Sequence, residues 1–97
     1  MDKTHINFPL PDAERFPIQN RFFVAVWHYI ANHNMRGFAT FCRLYGLQQG
    51  NLYRLAQNPT RQFNPNLLTL MVKLGYSANW LLTGHGSMLR KYEAKNA

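Results

Sequence analysis

Between Gly46 and Asn58 the chain reads GLQQGNLYRLAQN, which sets Gln48, Gln49, Asn51, Tyr53, Arg54, Gln57 and Asn58 around the apolar residues Leu52, Leu55 and Ala56. The apolar spacing is that of a helix, and the outward residues are amides, a tyrosine and an arginine, with no acid among them. A planar amide carries a donor beside an acceptor, which matches the edge of an adenine, and the fork of an arginine matches guanine. The stretch therefore carries groups suited to reading bases. An outward amide on a short helix is most often merely solvated, so the surrounding sequence has to decide between the two.

Other kinds of chemistry find little support. The only acids are Asp2, Asp12, Glu14 and Glu93, so no carboxylate side chain lies between Pro17 and Tyr92 to serve as acid, base or orienting group. Cys42 is the single cysteine; it falls at a position expected to be buried, beside Arg43 and with no histidine partner, and it excludes an internal disulfide. His28 and His33 are five residues apart and do not share a helical face, while His5 and His85 fall in an arm and a glycine turn, so no zinc-binding spacing is present. The GHG at 84–86 is too short for a phosphate loop and reads as a helix stop. Trp27, Trp80, Phe38 and Phe41 recur at inward helical spacing and are expected in the core rather than as a stacking platform for single strands. The expectation is a protein that is not an enzyme and takes no metal and no cofactor.

Charge narrows the partner. The net charge is +7, and the acid-free region holds Arg21, Arg36, Arg43, Arg54, Arg61, Lys73, Arg90 and Lys91. Such a domain repels itself unless something anionic lies close, and a polyanion such as nucleic acid is the simplest partner. Ninety-seven residues suffice for one small domain. The longest apolar run, FFVAVW at 22–27, is far short of the about 20 residues of a membrane span, and the N-terminus lacks a basic-then-apolar signal pattern, so a soluble, cytoplasmic protein is expected.

The elements that must position these residues can be read in order. Pro9, Pro11 and Pro17 make residues 1–18 an extended arm, with Phe8, Leu10 and Phe16 as possible anchors. Its acids outnumber its bases, which makes it a poor phosphate ligand. A first helix follows Asn20 as N-cap, with apolar residues at 23, 26, 27 and 30; Val24 and Val26 leave a strand as the alternative. A second carries Phe38, Phe41, Cys42 and Tyr45 and stops at Gly46, and a third opens at Gln48 or Gln49 and ends at Asn58-Pro59. A fourth starts at Pro65 behind Asn64 and runs to Gly75, and Ser77 caps a fifth, ANWLLT, that closes at Gly84. The fold class is all-α: an arm at 1–18, a five-helix domain at 19–89 and a polar tail at 90–97.

Phe41, Cys42, Tyr45, Gly46, Leu47, Leu52 and Leu55 together have the spacing of a helix-turn-helix. In FCRLYGLQQGNLYRL and in SANWLLTGHGSML the chain resembles the lambda-repressor-like family of phage repressor, Cro and related bacterial regulators, over about Asn20 to Leu89. It departs from that pattern at Cys42, where alanine is usual, and at Gly50, where a larger polar residue is common. The resemblance implies that the second helix of the motif enters the major groove of double-stranded DNA. Carried over residue by residue, it makes Gln49, Asn51, Tyr53 and Arg54 the base-contacting residues. Gln48, Arg36, Arg43, Arg61 and Asn64 become contacts to the DNA backbone. It also implies a small transcriptional regulator, a repressor occupying an operator as a homodimer. Two rivals stay open: an adaptor or antitoxin-like interaction module using the same fold without reading bases, and a nonspecific nucleic-acid binder.

Overall fold

The computed structural model describes residues 8–90 of the chain. The start of the arm, and the tail beyond Arg90 with Lys91, lie outside the described residues. Among those described, five helices and no strand occur: α1 (Pro17–Asn32), α2 (Phe38–Leu44), α3 (Gln49–Gln57), α4 (Asn66–Lys73) and α5 (Ala78–Thr83). The one β feature is an isolated antiparallel bridge between Tyr76 and Leu89, where Ser77 N–H donates to the Met88 carbonyl (2.8 Å) and Arg90 N–H to that of Gly75 (2.9 Å).

The longest helix, α1, is the hub, packing against α2, α4 and α5, while α3 rests on α2 and α4 on α5. Neighbours on several sides demand a wide apolar face, and Phe22, Phe23, Ala25, Val26 and Ile30 of α1 are all buried. Val24 and Val26 thus sit in a helix, since the i, i+3, i+4, i+7 pattern outweighs a local β preference. Phe38, Phe41 and Cys42 of α2, Leu52, Leu55 and Ala56 of α3, Met71 and Leu81 complete the interior, together with Tyr76 from the connection between α4 and α5.

Two starts differ from expectation. α1 begins one turn early, at Pro17, whose fixed φ and missing N–H suit a first helical position. Asn20 does not cap it; inside the first turn, its Nδ2 donates to the Pro11 carbonyl at 2.8 Å and ties the arm to the helix. The α-helical span of α4 begins at Asn66, with Asn64 Oδ1 accepting from the Asn66 N–H at 2.9 Å. At α5 the expected cap is present, Ser77 Oγ accepting from Trp80 N–H at 3.1 Å.

Arg21 joins α1 to α5. Its Nε donates to the Leu81 carbonyl (3.0 Å) and its Nη2 to that of Leu82 (3.1 Å), satisfying two of the carbonyls left open in the last turn of α5. This cation is occupied within the fold.

Candidate nucleic-acid interface

The turn between α2 and α3 follows from one residue. Gly46 has φ +68°, which lets its N–H bond back to the Arg43 carbonyl (3.4 Å) and the Leu47 N–H to that of Cys42 (2.8 Å). This is a Schellman closure, in which the left-handed residue is ordinarily glycine because a Cβ there is strained. Leu47 then turns inward, and the backbone at Gln48 extends (φ −83°, ψ 108°) before α3 begins. Cys42, 1% exposed, lies where α2 and α3 meet, and burial pushes its thiol up to about 11, so it is a packing residue rather than a nucleophile.

Burial of Leu52, Leu55 and Ala56 fixes the roll of α3 and leaves Gln49, Gly50, Asn51, Tyr53, Arg54 and Gln57 exposed. A helical side chain leans toward the N-terminus, and Arg54 accordingly lies back over the first turn. A Cβ built at Gly50 would stand 3.6 and 3.7 Å from its two terminal nitrogens, and Arg54 Nη2 approaches Asn51 Oδ1 at 3.5 Å. Gly50 is therefore the bare floor under the guanidinium. Arg54 and Asn51 thus meet on the outward side of α3, while Gln49, about 160° around the helix from Asn51, is exposed on the flank of Tyr53. Gln48 occupies the N-cap position without making a side-chain cap, and no acid lies in the first turn, so the N–H groups there point outward with the positive end of the helix dipole.

The expected residues separate by location. Gln48, Asn51, Arg61 and Asn64 line one open cleft of about 370 Å³ between the start of α3 and the loop before α4, floored by Leu47, Leu52, Leu55 and Leu67. Asn64 commits its Oδ1 to the start of α4 and retains its Nδ2 for another partner. Gln62 shares the rim and has no signal in the sequence beyond its polarity, since loop residues follow no period. Arg36, on the connection before α2, and Arg43, in the last turn of α2, are exposed and outside this cleft. Tyr53, 40% exposed, faces the other flank, its ring 5.5 Å from that of Phe8 at 80°.

Charge at the surface is one-sided. Among the described residues only Asp12 and Glu14 are acidic, both exposed on the arm, and Asp12 Oδ1 accepts from the Glu14 N–H at 2.9 Å. No three His, Cys, Asp or Glu side chains come together among the described residues, and no helix there is long and apolar enough to cross a membrane. Two histidines serve the fold: His28 Nδ1 pairs with the Tyr76 hydroxyl at 2.6 Å, and the ring of His33 stacks on Tyr29 at 3.8 Å.

Leu82, 51% exposed, borders a mainly apolar groove with Leu68 and Val72 between α4 and α5. Comparison with known proteins identifies no relative of this chain: no family model matches it, and neither the curated proteins nor the solved structures yield a match.

Proposed function

We propose that the protein binds double-stranded DNA sequence-specifically through a lambda-repressor-like helix-turn-helix formed by α2 and α3, acting as a small phage-repressor-like regulator that occupies an operator as a dimer. The observation that carries this reading is the outward side of α3, where the folded-back Arg54 meets Asn51, Gln49 is exposed on the neighbouring flank and no acid lies in the first turn. An arginine fork and a planar amide within one turn are the pair suited to adjacent guanine and adenine edges in the major groove. Gln48, Arg61 and Asn64 along the neighbouring cleft supply donors for phosphate oxygens, and the uncapped helix start adds backbone N–H groups. One helix of nine residues reads only a few base pairs, so a second copy is needed to lengthen the site. The α4–α5 groove with Leu82 is an apolar surface available for that pairing.

Alanine substitution on a duplex enriched by the parent protein separates the roles. Gln49→Ala and Arg54→Ala each lose roughly 1–3 kcal/mol of discrimination at one base pair. Arg61→Ala weakens all duplexes alike and lowers the slope of log K against log salt by about 1. Unchanged base preference in both Gln49→Ala and Arg54→Ala, with the fold intact, removes the assignment of α3 as the reader.

A further inference from the structure

The arm has no place in the DNA-reading scheme, yet it reaches the reading helix. The Phe8 ring lies 5.7 Å from that of Phe23 and 5.3 Å from that of Trp27 on α1, 4.7 Å from Phe38 on α2 and 5.5 Å from Tyr53 on α3. One arm residue thus fills the junction of three helices. The arm behind it is held on α1: Pro11 is buried and accepts through its carbonyl from Asn20 Nδ2, and the Phe16 N–H donates to the Asp12 carbonyl at 2.8 Å. Phe23 and Phe38 are buried, so the partner of Phe8 that remains open to solvent on α3 is Tyr53.

Tyr53 follows Gln49 by one turn and precedes Gln57 by one, on the flank of α3 opposite the Arg61 cleft. A tyrosine at such a position has more than one staggered χ1 open to it, and one of these is fixed when an aromatic edge packs against the ring. We propose, granting the DNA reading above, that Phe8 is a positioning residue for Tyr53. The arm holds the phenol at the edge of the first turn, where its hydroxyl meets DNA beside Gln49, and so sets affinity without touching DNA itself. This gives the described part of the arm a role that a helix-turn-helix alone does not require.

A double-mutant cycle on the full chain tests it. The parent, Phe8→Leu, Tyr53→Ala and the double variant are titrated with a labelled duplex that the parent has enriched from a random library, and each is melted in parallel. Leucine fills most of the space of Phe8 and keeps the junction closed while removing the ring. Phe8→Leu is expected to weaken binding about 3- to 10-fold in the parent and less than about 2-fold in the Tyr53→Ala background, as befits one aromatic pair acting through its partner. Phe8→Tyr, which restores a ring, is expected to return to within about 2-fold of the parent. An equal loss in both backgrounds means that the arm acts by general stability and overturns the proposal; so does parent-like binding by Phe8→Leu. A parent that enriches no duplex overturns the DNA reading itself and this role with it, an outcome visible before any variant is made.

Discussion

Arg21 is a cation of the basic region that the fold consumes, and its replacement should separate stability from DNA binding. Its guanidinium bonds the Leu81 and Leu82 carbonyls at 3.0 and 3.1 Å, at the negative end of α5. Hydrogen bonds from a charged donor contribute about 1.5–3 kcal/mol each when well shielded, and about 1 each where water competes; the helix-end charge adds about 0.3–1. Arg21→Met keeps an unbranched aliphatic side chain but loses both bonds, which places the cost at about 2–3 kcal/mol. For a domain of this size that is a fall in Tm of about 10–20 °C. Gly84→Ala should act on the same joint, because φ is +81° there and a Cβ would sit 2.9 Å from Arg21 Nη1. The assay is a thermal melt by circular dichroism, paired with duplex binding well below the transition. The reasoning predicts a lower Tm with unchanged affinity. A melt within about 2 °C of the parent, together with a loss of affinity, would refute it and move Arg21 to the DNA surface.

Gly50→Ala should raise stability by about 0.5–1 kcal/mol, since its Cβ meets Arg54 only at ordinary contact distance, and base preference should be retained; a chemical melt and a binding titration check both. Gly50→Gln, by contrast, displaces the guanidinium and should alter preference at the base pair that Arg54 contacts, as read by repeating the library selection on that variant. The Cys42 thiol should resist a thiol reagent at pH 8 in the folded protein and react at once on unfolding, because burial raises it to about 11. Alkaline pH should unfold the domain cooperatively. Burial raises Cys42 from 9.0 to about 11, and burial with the nearby Tyr29 raises Tyr76 from 10.0 to about 12. Burial, with the hydrogen bond to Tyr29, also raises Tyr45 to about 12. In each case the unfolded chain ionises first, so the stability is complete below about pH 9 and is lost as pH rises toward 12; Cys42 and Tyr76 account for on the order of 2–3 kcal/mol each. A pH series of melts that stays flat up to pH 11 would contradict this.

Much of the helical order is legible in the chain because each helix carries its own period and its own stop. Leu52, Leu55 and Ala56 set the roll of α3, and Gly46, Gly75 and Gly84 mark three helix ends at which φ is positive. The start of α1 is not legible because two signals compete: Asn20 has the chemistry of a cap, but Pro17 one turn earlier has the geometry of a first helical residue, and Asn20 spends its side chain on Pro11. Tyr76 belongs to the core at 1% exposure although it lies in a connection, where no periodicity flags it. The outward set of α3 follows from the same pattern that buries its leucines. The lean of Arg54 over Gly50, the use of Arg21 on α5 and the contact of Phe8 with Tyr53 join residues distant in sequence or depend on side-chain direction, and neither is written in spacing. Of the arm anchors, Phe8 packs inside, whereas Leu10 remains exposed.

The most direct test of the central claim is selection from a random duplex library by the full chain at near-physiological salt, followed by sequencing of what is retained. The account predicts an enriched inverted repeat whose half-sites lie about one helical turn apart, with a guanine and an adenine among the specified positions of each half. Tight binding at low salt with no enriched sequence, or no binding to any duplex, would contradict it.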